Sequence, residues 1–349
     1  MKDLVYDIHA LSRLIKRKKT FSRDEEGNIT TENIPSDWNK DYKESVVRYL
    51  NCLEPLFDKA QAKSDFQFIL TLLRFRGIQS SGEDPYENSL ETIDALMDIE
   101  KKIKGRARLN VFLWVYGHIV ESSEPYEVIA NLLNICTGKT YRLFNYPYIK
   151  TNFGYRPQYP IEKINHLEKL AEETKMPFVL EPIKDVFDKD LRNAVFHSDY
   201  SVYKGEVYIT QPQRIYTRGE ALAIINKTLA YHETMKHLIA MYTKSYDKPR
   251  VIEVSPEFSR DPEEKAQIII RKDYGVIALK DAWNEKQIKA GKIQWFVGKS
   301  MSYEQKLINK GQCLLPKNRV DFWNRILIRM PDFLYKQLVN PIEKYIINR

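Results

Sequence analysis

At 349 residues, with a formal net charge of +8 and 43% hydrophobic residues, the chain is long enough for two domains or for one helical domain with an appended module. Its longest apolar runs, around Phe66 to Leu73 and Val111 to Tyr116, are too short to cross a bilayer, so no membrane span is expected. The three distant cysteines, Cys52, Cys136 and Cys313, fit reduced thiols better than a disulfide framework or zinc site, and the amino terminus lacks a signal-peptide pattern; both features predict a cytoplasmic protein.

In chain order, Leu4, Ile8, Leu11 and Ile15 fall at helical spacing. Turn-rich residues from Phe21 to Lys40 follow and read as a loop or small hairpin. From Asp41 to about Gly138 a succession of helices is predicted, with breaks at Gly77 to Pro85, at Gly105 and at Ser122 to Pro125. Residues Thr140 to Pro160 interleave Tyr141, Tyr146, Tyr148, Tyr155 and Tyr159 with Arg142, Lys150 and Arg156. Such a loop can stack bases and hold phosphates, or pack its tyrosines onto the helices beneath.

Helical periodicity resumes over Ile161 to Thr174 and again over Phe178 to His197. Tyr200 to Ile209 reads as a β-hairpin around Lys204-Gly205, and a long helix is predicted from about Arg218 to Tyr242. His232 and His237 lie on that core-forming helix and are expected to pack rather than react. Beyond Pro249, β-like stretches over Val251 to Val254, Ala266 to Ile270, Gly275 to Leu279 and Lys292 to Val297 precede helical stretches over Phe322 to Ile328 and Phe333 to Ile347. Residues 246–349 hold 20 Lys and Arg against 13 Asp and Glu, nearly the whole excess charge, which favours a polyanionic partner. No Gly-rich phosphate loop occurs, which argues against a P-loop or dinucleotide-binding enzyme.

The chemistry concentrates in Arg192-Asn193-Ala194-Val195-Phe196-His197, at the end of a predicted helix. Asn193 and His197 are four residues apart and share a face, and the long side chain of Arg192 can sweep to the same rim, so all three can line one groove. A permanent guanidinium charge and an imidazole that trades protons near neutral pH suit phosphodiester cleavage. The helix carboxyl end favours the imidazolium, and Asp199 would act in the same direction if it comes close. His118 and Glu121, on a separate helix, could support the imidazole or simply form a polar edge. An Arg and a His near a helix end can also cap the last turn, or bind RNA without cutting it.

In its order and context this segment resembles the HEPN superfamily (higher eukaryotes and prokaryotes nucleotide-binding domains), whose signature is Arg, a polar residue often Asn, a few residues, then His near a helix end. The resemblance implies a dimerising helical bundle that brings two motifs into one cleft. It also implies a metal-independent endoribonuclease that uses the RNA 2′-hydroxyl as nucleophile, acting in antiviral defence or growth arrest, with an antitoxin or sensor protein as a further partner. On this chain His197 would transfer the proton, Arg192 would neutralise the phosphate and Asn193 would orient either. No acidic cluster for two-metal hydrolysis is evident in the sequence, and no cofactor is expected. The expected architecture is mainly α: an N-terminal helical region (1–105), a HEPN-like bundle with a β-hairpin (106–245) and a basic C-terminal α+β module (246–349).

Overall fold

A computed structural model describes residues 21–32, 39–73, 85–142, 144–152, 154–246, 250–253, 265–271 and 275–279. The helices expected before Phe21 and after Asp321, the strand expected over Lys292 to Val297, and Cys313 lie outside these residues.

The described chain is mainly helical. Helices α1 (Lys40–Lys63) and α2 (Asp65–Leu73) lead to α3 (Pro85–Glu100), α4 (Gly105–Glu121) and α5 (Ser123–Cys136). Val46, Leu50, Leu53, Phe57 and Ala60 recur every three or four residues along α1, so burying them gives that helix one apolar stripe. Each large side chain so buried contributes about 1.5–3 kcal/mol. The stripe lies along the long helix α9 (Arg218–Lys244). Contacts advance together along the pair: Tyr49 meets Tyr231 edge to face, the Tyr242 hydroxyl bonds Asp58, and Gln61 bonds Tyr246, so α1 and α9 run parallel. Thr217 and Glu220 form a reciprocal capping box at the start of α9.

Between these helices lie a small hairpin, β1 (Ile149–Thr151) with β2 (Gly154–Arg156), then α6 (Pro160–Thr174), a 3₁₀ turn (Pro177–Leu180), α7 (Glu181–Val186) and α8 (Lys189–His197). Asp185 on α7 ties α1 to α9: Arg48 and the Tyr49 hydroxyl, at 2.6 Å, bind one oxygen, and Lys227, at 2.9 Å, binds the other. Burial alone would raise the pKa of this carboxyl, but those donors and charges hold it below the usual range.

The single helix expected over Phe178 to His197 is in fact three pieces, because Asp188 starts a new helix. Phe187 is extended, and the Asp188 carboxylate accepts from the Asp190 and Leu191 amides, both at 3.0 Å. Tyr216 donates to the same oxygen at 2.9 Å, and Tyr116 brackets the Asp188 backbone, donating to its carbonyl and accepting from its amide. Asp188→Ala is expected to cost about 2–3 kcal/mol, the sum of a lost cap and an orphaned tyrosine hydroxyl. The urea midpoint measures it, and Asp188→Asn, which keeps the cap, should retain most of the stability.

The expected hairpin is present as β3 (Tyr200–Tyr203) and β4 (Glu206–Ile209), with Tyr203 opposite Glu206. Lys204 and Gly205 both have positive φ, 51° and 88°, as a tight primed turn requires. A third strand that the sequence reading did not include, β5 (Arg214–Tyr216), extends this antiparallel sheet. The β-like stretches after Pro249 pair as the antiparallel sheet β6 (Arg250–Glu253), β7 (Lys265–Arg271) and β8 (Gly275–Leu279). Ile252 is buried and Arg250 approaches Asp65 at 3.5 Å, which places β6 against α2.

The aromatic loop is packed in part onto the helices beneath. Tyr141 and Tyr146 are buried, whereas Tyr148, Tyr155 and Tyr159 are exposed. Cys52 is buried, which pushes its thiol up to about 12, and Cys136 is raised for the same reason; neither is a thiolate at neutral pH. Among the described residues no helix is long and apolar enough to cross a membrane.

Candidate active site

Helix α8 is only nine residues long, yet both its ends are closed. Asp188 caps the first turn. At the other end Ser198 adopts the left-handed conformation, φ 55°, and the Asp199 amide reaches back to the Ala194 carbonyl at 2.9 Å. Leu191, Ala194 and Val195 face the core, leaving Arg192, Asn193, Phe196 and His197 toward the rim.

Gly117 sets how closely α8 approaches α4. A Cβ there would lie 3.1 Å from Val195 Cγ1 and 3.3 Å from Phe196 Cε2, so a larger side chain would push the helices apart. This close approach brings Glu121, one turn beyond Gly117, to Arg192. Arg192 Nε and Nη2 both donate to Glu121 Oε2, at 2.8 and 2.5 Å, and Nη1 donates to Asn193 Oδ1 at 2.9 Å. The guanidinium also lies over the Phe196 ring, 4.9 Å from its centroid, and 5.9 Å from that of Tyr159. Three of its five N–H groups are thus engaged and two remain.

The structure joins Arg192 to Asn193 directly and sets His197 apart. His197 is exposed and makes no hydrogen bond or ion pair among the described residues, with Asp199 or any other carboxylate. Neighbouring Phe196 is 47% exposed. Asn193 holds the guanidinium rather than the imidazole. Glu121 supports Arg192 and not His197, and its helix neighbour His118 turns instead to Ser89 Oγ, 3.1 Å away, where burial lowers its pKa.

Sequence reading did not pair Glu121 with Arg192, which is 71 residues further along the chain. A signal was present in Gly117, since a glycine inside an apolar helix marks a close approach by another segment.

His232 and His237 are buried on α9, as their core spacing predicts. Burial drives their pKa values down to about 3 and about 4, and raises that of the adjoining Glu233 to about 7. Among the described residues no group of three or more His, Cys, Asp and Glu side chains could hold a metal ion. Comparison of the chain with protein-family models, with curated proteins and with solved structures gave no match.

Proposed function

We propose that the chain is a HEPN-type endoribonuclease that cleaves RNA as a homodimer without a metal. The observation that supports this best is an exposed, unpaired imidazole on the closed end of α8, five residues beyond a guanidinium held in place by Glu121. A rigid pedestal with an open acid–base group on it is what general acid–base catalysis needs.

In the reaction the RNA 2′-hydroxyl loses its proton to an imidazole and its oxygen attacks the adjacent phosphorus. The bond from phosphorus to the 5′ oxygen breaks, that oxygen takes up a proton, and the products end in a cyclic 2′,3′-phosphate and a 5′-hydroxyl. The nucleophile is already attached to the reacting phosphate, which removes most of the entropic barrier. His197 transfers the proton. The two unengaged N–H groups of Arg192 meet the nonbridging oxygens as charge builds there. Exposed Tyr159, beside Arg192, offers a face for an unpaired base. Two protomers supply two such sets to one cleft. Cleavage by such an enzyme serves antiviral defence or growth arrest, restrained by an antitoxin or switched by a sensor protein.

The Arg192–Glu121 pairing favours one alternative, a module that binds RNA without cutting it and uses Arg192 to anchor α8 on α4. Purified protein incubated with RNA and EDTA separates the two. Cleavage leaving cyclic phosphate ends is expected, and substrates with 2′-deoxy or 2′-O-methyl riboses should stay intact. Cleavage that survives both His197→Ala and Arg192→Ala removes the site from consideration, and RNA bound but uncut favours the binding module.

A further inference from the structure

A cavity of about 450 Å³ opens at the other end of α4, between the start of that helix, the β3–β4 turn and the start of α9. Its size falls in the range of small-molecule sites, about 300–1,000 Å³. The floor is apolar, formed by Leu109, Phe112, Val202 and Leu222. Arg106, Arg108, Lys204 and Arg218 also line it, and none of its lining residues is acidic.

These cations are not equivalent. Arg108 is tied to buried Glu100, so its charge is already answered. Arg106, Lys204 and Arg218 form no ion pair among the described residues. Lys204 sits at positive φ in the turn with its ammonium over the Tyr203 ring, 5.3 Å from the centroid, and Arg218 lies across Gly205, where an added Cβ would meet its Cδ at 3.1 Å. Tyr203, beside them, is 60% exposed. An apolar floor below three cations with no carboxylate partner among the described residues fits a ligand that is anionic at one end and flat or apolar over the rest of its body.

We infer that this cavity binds a phosphate monoester of nucleoside size, its phosphate held by Arg106, Lys204 and Arg218 and its ring system laid on the apolar floor. Two sources share that chemistry, a free mononucleotide and the 5′-phosphorylated end of an RNA. The cavity does not depend on the chemistry of Arg192 and His197, which lie toward the opposite end of α4.

The test is calorimetric titration of the full chain with AMP and with a 5′-phosphorylated hexauridine, using adenosine, inorganic phosphate and a 5′-hydroxyl hexauridine as controls. AMP or the phosphorylated oligonucleotide is expected to bind at least tenfold more tightly than its controls. Arg106→Glu should weaken that binding by tenfold or more. The substitution is compatible with folding, because a carboxylate in the first turn of a helix is favoured by the helix dipole, so the thermal midpoint of the free protein should not fall. His197→Ala should bind as the wild type does, which keeps the result separate from any RNA cleavage. Binding of neither phosphomonoester, binding no tighter than that of the controls, or binding insensitive to Arg106→Glu overturns the assignment.

Discussion

His197→Ala is expected to lower the rate of RNA cleavage by about 10²–10⁴-fold, the usual contribution of a positioned acid–base group, and to leave folding stability unchanged. Stability is spared because the imidazole is exposed and bonded to nothing among the described residues. Arg192→Ala should cut activity as well, but by a different route. Its side chain is only 12% exposed and joins Glu121, Asn193 and the Phe196 ring. Truncation strands the Glu121 carboxylate against α8 and costs about 1–3 kcal/mol. At about 2–4 °C per kcal/mol the melting temperature should fall by several degrees. Single-turnover cleavage measured beside urea and thermal midpoints separates the two residues. If His197→Ala destabilises the fold as much as Arg192→Ala does, or cleaves at the wild-type rate, the imidazole is not the proton-transfer group.

Acid should begin to destabilise this protein well above the pH at which its ordinary carboxylates titrate, and α9 is the reason. In the unfolded chain His232 and His237 take up protons near pH 6.5, whereas in the fold they resist until about pH 3 and pH 4. As pH falls below 6.5 the unfolded state therefore binds more protons, and each histidine lowers stability by about 1.4 kcal/mol per pH unit. Glu233 acts in the opposite sense. Burial raises its pKa to about 7 from 4.5, against the pull of Lys236 3.1 Å away, so acidification relieves a cost between those values and offsets one histidine. The net loss is about 1.4 kcal/mol per unit from pH 6.5 to 4.5, then about 2.7 per unit, or about 4 kcal/mol by pH 4. That is a large share of the 5–15 kcal/mol typical of a folded domain. Urea midpoints between pH 7 and 4 measure the slope. His237→Phe, which keeps a ring against Phe21, should flatten it by about one proton, and a midpoint constant from pH 7 to 5 contradicts the account.

Much of the helical order was legible because it is written locally. Gly105, and Ser122 to Pro125, punctuate the chain where α4 and α5 begin, and Lys204-Gly205 supplies the turn that only positive φ permits. The break before α8 was not legible. Asp188 falls within a continuous helical period, and the groups that make it a cap rather than an interior residue, Tyr116 and Tyr216, come from distant parts of the chain. The motif Arg192-Asn193…His197 could be found as a string, yet its internal arrangement could not. Periodicity places Asn193 beside His197; the choice of Arg192 as its partner depends on Glu121, which only tertiary packing brings near. The short strand β5 was missed because three residues carry too little alternation to register.

Helix α4 runs unbroken for 17 residues, about 25 Å, from the cavity with its free cations to the carboxylate that holds Arg192. Arg106 and Glu121 lie within about 60° of each other around its axis, and exposed Trp114 stands between them on the same side. The helix is thus a ruler with a mark at each end and one in the middle. A strand stacked at about 3.4 Å per nucleotide needs roughly seven nucleotides to reach from the first mark to the last. On the proposed RNA reading, oligomers shorter than that cannot reach both end marks at once.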